Sequence, residues 1–314
     1  MGESEFLNQR IYVAGHRGLV GSAIVRRLRK SGHTDLVLKS SSELDLRDRK
    51  ATFDFFESHQ PDVVYLSAAR VGGIGANNAF RADFYSDNML IQTNVIDAAI
   101  QTKVERLLFM GSSCIYPRLA PQPIPETALM SGPLETTNNG YAISKIGGLI
   151  HIQAARRQFG VSWFSAMPTN VYGPGDNYGE GTSHVLPALV SRYVEAKRKG
   201  QPQVVNWGTG SPKREFIHSD DLADASLFLM ENYDSELPIN VGTGFEISIK
   251  ELADLIAEVV GYQGETLWDS SKPDGTPRKL LDSSRLFKLG WTPKVDFLVG
   301  LREVVREAEE RLNS

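Results

Sequence analysis

Apolar residues along this chain follow two alternating rhythms. Short uninterrupted apolar runs at Arg10 to Gly15, Asp35 to Lys39, Asp62 to Ala68, Arg106 to Ser112, Val161 to Met167 and Pro238 to Gly242 read as strands. Runs of this length with few polar breaks are expected where both faces of a strand are buried. Between them, Ser22 to Leu28, a segment through Phe53 and Phe56, Asp83 to Ile100 and a stretch opening at Tyr141 carry helical spacing. Strand and helix in alternation predict an α/β fold built on a doubly wound parallel sheet. Beyond Gly175 the rhythm changes. Asp176 to Thr182 is turn-rich, Ser183 to Val190 opens a helix carrying His184, and Val204 to Gly208 is a short strand. Gly210 to Phe216 reads as a basic turn, and Ile217 to Asp221 as the start of another helix with Asp220 or Asp221 as its cap. Lys250 to Val260 and Arg302 to Leu312 are amphipathic helices. The expected division is a tail over 1–10, a first unit over 11–174 plus about 216–243, and a smaller C-terminal α/β unit over 175–215 plus about 244–314.

Two stretches add chemistry to this frame. The first strand runs into Gly15-His16-Arg17-Gly18-Leu19-Val20-Gly21 and then a helix. Glycines so placed permit a tight turn, close approach of a pyrophosphate and close helix–strand packing, with the helix N-terminus attracting phosphate. The end of the second strand then bears on the cofactor. An NAD site usually carries an acidic residue about 20 residues beyond the glycines, whereas this chain has Lys39-Ser40-Ser41-Ser42. A lysine and hydroxyls suit a 2′-phosphate, and Arg17 adds a second charge, so NADP(H) is expected over NAD(H); a solvated polar loop is the competing reading of Lys39. The other stretch is Gly111-Ser112-Ser113-Cys114 with Tyr141-Ala-Ile-Ser-Lys145. Ser112 and Ser113 would lie at the C-terminal end of a strand, the edge where open α/β sheets bind ligands. Tyr141 and Lys145 share one helical face, and an ammonium beside a phenol favours phenolate. Such a serine, tyrosine and lysine suit hydride chemistry at a carbonyl. Either motif alone is common; the glycine turn upstream makes the pair informative. The glycine-rich Ala69 to Asn78 loop, the proline-broken Pro117 to Gly140 segment and Pro168 to Pro174 fall beside the same edge.

Composition narrows the class. The chain has 314 residues, 41% hydrophobic and 23% charged, and a net charge of -4. Nucleic acid and anionic membranes are not expected partners. No apolar run approaches the roughly 18 residues of a membrane span, and the N-terminus lacks a signal-peptide core. A single cysteine, Cys114, excludes an intrachain disulfide and fits the cytoplasm. No metal is expected.

With these residues in view, the chain resembles the extended short-chain dehydrogenase/reductase family over nearly its whole length from about Ile11. The most specific pieces are Ala14-Gly-His-Arg-Gly18, Ala69-Arg-Val-Gly-Gly-Ile74, Gly111-Ser-Ser-Cys-Ile-Tyr-Pro117, Pro168-Thr-Asn170, Ser183-His184-Val185 and Lys272-Pro-Asp-Gly-Thr-Pro-Arg-Lys279. The resemblance implies a Rossmann-type domain, a smaller nucleotide-sugar-binding domain, and NADP(H) held by the glycine turn, Lys39, Met110-Gly111-Ser112-Ser113, Lys145, Pro168-Thr169-Asn170-Val171 and His184. It makes Ser112, Tyr141 and Lys145 a reductase triad and Cys114 with His184 an epimerisation acid/base pair. It places Arg192, Trp207, Arg214 and Asp274 around a GDP-sugar. Lys39 stands where related enzymes carry arginine, keeping the charge without the bidentate fork. The implied reaction inverts C3 and C5 of a 4-keto sugar and then reduces C4. A homodimer through the helices near Asp83–Ile100 and Tyr141–Gln158 is implied as well. Two other readings stand beside this one. A nucleotide-sugar 4-epimerase or simple 4-reductase would not need Cys114 and His184, and a 4-epimerase would hold NAD tightly. A catalytically silent NADP-binding regulator would be expected to lack the tyrosine or the lysine.

Overall fold

The structure, a computed structural model, describes residues 8–179, 182–272 and 274–313; residues 1–7 of the expected tail lie outside them. In chain order, β1 (Ile11–Ala14), α1 (Leu19–Lys30), β2 (Leu36–Val37), α2 (Arg49–His59), β3 (Val63–Leu66), α3 (Ile74–Ala79), α4 (Arg81–Gln101), β4 (Arg106–Met110), α5 (Asn139–Phe159) and β5 (Phe164–Pro168) alternate. There follow β6 (Asn170–Tyr172), α6 (Val185–Arg198), β7 (Gln203–Trp207), β8 (Lys213–His218), α7 (Ser219–Asn232) and β9 (Ile239–Val241). The chain ends with β10 (Glu246–Ser248), α8 (Ile249–Val260), β11 (Glu265–Asp269), β12 (Arg278–Lys279), α9 (Ser284–Lys288) and α10 (Phe297–Asn313).

Six strands form one parallel sheet in the order β2-β1-β3-β4-β5-β9. Successive side chains on a strand point to opposite faces, and here both faces are core. Tyr12, Val64, Leu66, Leu107 and Phe109 pack on one side with Phe56, Ile96 and Leu149. Ile11, Val13, Val63, Tyr65 and Leu108 pack on the other with Ile24, Leu28 and Leu222. That double burial explains why the strands read as unbroken apolar runs. A third core joins α6, α8 and α10 through Tyr193, Leu252, Ile256 and Val304. A capping box of Ser248 and Glu251 starts α8.

A second sheet lies on the far side of the cleft. There β8 is flanked by antiparallel β10 and parallel β12, and its C-terminal half pairs with β6. β5 and β6 are separated by the single residue Thr169.

Three expectations are corrected. Gly210 to Phe216 is not a turn throughout, because β8 begins at Lys213; its polar side chains serve the cleft and a buried network, which hides the strand signal. The cap of α7 is His218, whose ring accepts the Asp220 N–H at 3.3 Å, while Asp220 pairs with Arg26 and Asp221 accepts the N–H groups of Lys294 and Val295. Part of the Ala69 to Asn78 loop folds as α3. At the start of the described chain, Gln9 bonds Glu105, and Arg10 bonds Asp35 and Asp62.

Candidate active site

The C-terminal ends of β1, β3, β4 and β5 open into a cleft of about 1730 Å³ whose opposite wall carries Arg214 of β8 and Lys279 of β12. This exceeds the ~300–1,000 Å³ of a pocket for one small ligand and leaves room for a dinucleotide and a nucleotide sugar together.

The glycine turn forms one end. Gly15 has φ +84°, and a Cβ there would come within 2.8 Å of the Ala68 backbone. A Cβ on Gly21 would strike the Gly15 carbonyl. Ser67 donates to the Ala14 carbonyl at 2.6 Å, pinning the β3 loop against the turn. Gly18 precedes α1 with no side-chain cap, so the first helical N–H groups are left for a phosphate. Lys39, Ser41, Ser42 and Arg17 line the same end. Ser40 lines it too, but its hydroxyl and N–H both donate to Glu43, at 2.5 and 2.9 Å. Those bonds, with the nearby Lys39 and Arg17 charges, hold the Glu43 carboxyl below its usual range. Glu43 is a member of this corner that the sequence pattern did not single out.

At the centre, β4 delivers Met110, Gly111 and Ser112. A Cβ on Gly111 would collide with the Met167 side chain. Ser112 caps the helical turn Ser113–Ile115 by accepting the Cys114 N–H at 3.2 Å. Lys145 is 3% exposed, and its Nζ donates to the Met110 carbonyl at 2.8 Å and lies 5.9 Å from the centre of the Tyr141 ring. Burial lowers this lysine to about 7. The Tyr141 phenol is not biased toward phenolate as the spacing suggested: burial and the Cys114 charge push it up, and a Ser112 hydrogen bond only partly opposes them. A lysine that has itself shed much of its charge near neutral pH gives the phenol little help.

Cys114 shows the opposite balance. Burial raises the thiol, yet the Lys279 ammonium and bonds from Ser112, Lys279 and Asn138 carry it below its ordinary value. The Lys279 Nζ lies 3.3 Å from the sulfur. His184 is the N-cap residue of α6, recessed between the cleft walls but open to solvent; burial and then Lys279 lower it.

Pro168, Thr169, Asn170 and Val171 form the wall between β5 and β6; Thr169 and Asn170 also donate to the Glu215 carbonyl at 3.2 and 2.7 Å. At the far end, Asp274 accepts both the N–H and hydroxyl of Thr209 at 2.9 and 2.8 Å, and Trp207 is 71% exposed, with Lys272 Nζ 6.0 Å from its ring centre. Arg192 is the one expected site residue that does not line the cleft; it bonds Asn206, beside Trp207, at 2.5 Å. Lys279 and Asn138 were not anticipated. Lys279 sits in a quoted motif, but nothing in the sequence signals contact across 165 positions. Among the described residues no acidic, histidine or cysteine cluster could hold a metal, and no helix is long and apolar enough to cross a membrane.

The chain is similar to known proteins over most of its length. The model of the NAD dependent epimerase/dehydratase family matches residues 11–242. GDP-L-fucose synthase 1 of Arabidopsis thaliana is 57% identical over 94% of this chain and 91% of its own. GDP-L-fucose synthase of Escherichia coli (strain K12) is 52% identical over 93% of this chain and 94% of its own. Among solved structures, a GDP-L-fucose synthetase from Naegleria fowleri bound to NADP superposes with a TM-score of 0.89 at 30% identity, covering 98% of this chain and 96% of that one.

Proposed function

The chain belongs to the NAD dependent epimerase/dehydratase family, and from that premise we propose that it converts GDP-4-keto-6-deoxy-D-mannose to GDP-L-fucose with NADPH, inverting C3 and C5 and reducing C4. The observation that carries this reading is the convergence of two sets of groups on one cleft. Ser112, Tyr141 and Lys145 suit reduction; Cys114 and His184 have no task in a plain reductase or 4-epimerase.

The cradle fits the cofactor. The glycine turn and the uncapped start of α1 would take the pyrophosphate, Lys39 and Arg17 the 2′-phosphate, and Lys145 the nicotinamide ribose. Bound NADPH supplies the hydride for C4. The protein's own groups do the rest. The C4 ketone acidifies the C3 and C5 protons. Cys114 as thiolate removes one such proton, and the electron pair moves onto the C4 oxygen, where Ser112 and Tyr141 stabilise it. His184, when it carries a second proton as imidazolium, delivers it to the opposite face of the carbon and is left neutral. After both inversions Tyr141, kept protonated by its surroundings, donates its proton to the C4 oxygen during reduction. Arg214, Asp274 and Trp207 face the nucleotide sugar, with Arg192 supporting that end through Asn206. On this reading residues 11–174 with 216–243 carry the cofactor, and 175–215 with 244–314 the sugar nucleotide.

Two coarser features extend the reading. The working form is a homodimer through α4 and α5, which pack side by side and leave Leu90, Ile143 and Ile150 exposed. The place of action is the cytoplasm, where the one cysteine stays a free thiol.

The test is product analysis after mixing the protein with GDP-4-keto-6-deoxy-D-mannose and NADPH in deuterated water. GDP-L-fucose labelled at C3 and C5 is expected. Cys114→Ser should lose the label, and Tyr141→Phe should slow reduction by roughly 10²–10⁴-fold while still binding NADPH. A C4-reduced product with no label at C3 or C5 from the unmutated protein would overturn the epimerase half.

A further inference from the structure

We propose that Lys279 is a positioning residue that holds the Cys114 sulfur as a thiolate through a direct ammonium–sulfur contact. The inference deepens the role proposed above for Cys114 and rests on it only for its catalytic consequence.

The contact is built by backbone that has little freedom. Lys279 pairs in register with Arg214 across β12 and β8. Just beyond it, the Leu280 N–H donates to the Gln122 side chain at 2.9 Å and the Leu280 carbonyl accepts the Ile124 N–H at 2.7 Å. The Leu281 N–H donates to the buried Glu215 carboxylate at 3.0 Å. Strand pairing and three hydrogen bonds thus fix the origin of the side chain, whose Nζ reaches 3.3 Å from Sγ.

Groups from every neighbouring element face the sulfur. Ser112 and Asn138 offer hydrogen bonds, Tyr141 of α5 interacts with its charge, and Arg214 of β8 is a second cation within range. Arg214 donates to the Lys213 carbonyl at 2.7 Å and is also drawn by Asp274, so Lys279 is the cation in hydrogen-bond contact. A charge at that distance in a crowded cleft acts through a lower dielectric than water, and a neighbouring cation favours thiolate over thiol. The same ammonium faces His184 and disfavours its charged form. One ammonium thus biases both groups, the sulfur toward the form that acts as a base and the imidazolium toward giving up its proton. When sulfur takes the carbon-bound proton, its negative charge passes to the enolate oxygen, so no net charge is created.

The chain has one cysteine, so alkylation by iodoacetamide reports this sulfur alone and needs no sugar. Intact-mass measurement of the rate against pH gives its midpoint. The unmutated protein should titrate below the ~8.5 of a free thiol. Lys279→Met should raise the midpoint by at least one pH unit, slowing alkylation at pH 7 about tenfold. Lys279→Arg should restore most of the shift, and NADPH fluorescence titration should show both variants folded. A purely structural role would weaken NADPH binding or folding and leave the midpoint in place. An unshifted midpoint in Lys279→Met overturns the proposal. So does an unmutated midpoint at or above the free-thiol value, a result that needs no variant to fold. With sugar present, Lys279→Met should also slow deuterium entry at C3 and C5. If alkylation shifts as expected but the unmutated protein exchanges neither position, the assigned reaction fails while the hold of Lys279 on Cys114 stands.

Discussion

Lys145 gives up its water to reach the Met110 carbonyl, and near pH 7 it keeps only about half of its charge. Its ordinary value is 10.5, and in the fold it titrates at about 7. Between those values the unfolded chain binds the extra proton, so this group makes stability rise with pH from about 7 to about 10. Lys145→Met removes that burden together with the ribose contact. Reduction should be lost while the melting temperature at pH 7 rises by a few degrees, and the gain should shrink toward pH 10. Thermal melts of both proteins at pH 7 and 9.5 check this; a variant that melts no higher at pH 7 would count against it. Lys39 carries the other single-residue expectation. One charged contact to a phosphate is worth about 1.5–3 kcal/mol, so Lys39→Asp should cut kcat/KM with NADPH by about 10–100-fold and reverse the preference toward NADH. Equal efficiency with both cofactors in the unmutated protein would refute the assignment. Ser112, Tyr141 and Lys145 were legible in the sequence because each sits at a fixed offset from a strand end or on one helix face. The protonation of Tyr141 was not legible, since burial decides it and burial belongs to the fold.

Elements were legible to the extent that both faces of a strand meet apolar layers, as in β1, β3 and β4. The strand β8 escaped because Lys213 is exposed beside Glu246, Arg214 is recruited to the cleft and Glu215 to a buried junction. Glu215 is fully buried, and its carboxylate accepts N–H groups from Thr243 and Gly244 at 2.8 Å each and from Leu281 at 3.0 Å. One side chain therefore ties β8 to the segment after β9 and to the strand end that carries Lys279. Glu215→Gln would point an amide N–H₂ at backbone donors. A loss of about 1–3 kcal/mol is expected, readable as a lower urea midpoint. Because the Leu281 anchor loosens with it, the alkylation midpoint of Cys114 should move toward that of a free thiol. A variant of parental stability would show that the carboxylate is not the fastener.

At the scale of the whole molecule, the exposed apolar residues on α4 and α5 have a simple use if a second copy covers them. Ile143 and Ile150, two turns apart on α5 and 45% and 44% exposed, contribute nothing to the described core. Ile143→Glu with Ile150→Glu should convert a dimer to a monomer in sedimentation without lowering the urea midpoint of the isolated chain; a monomeric unmutated protein would remove this interface. The passage from β5 to β6 across Thr169 has a different consequence. Two sheets that form opposite walls of one cleft are joined by a corner a single residue long, and Thr169 and Asn170 on that corner are fastened to Glu215. A hinge needs residues free to absorb a change of backbone angle, and here none is spare. This corner is therefore expected to hold the two walls at a fixed gap rather than to act as a closing jaw. On that expectation small-angle scattering should show the same radius of gyration with and without sugar and cofactor, and a compaction on binding would show a hinge elsewhere.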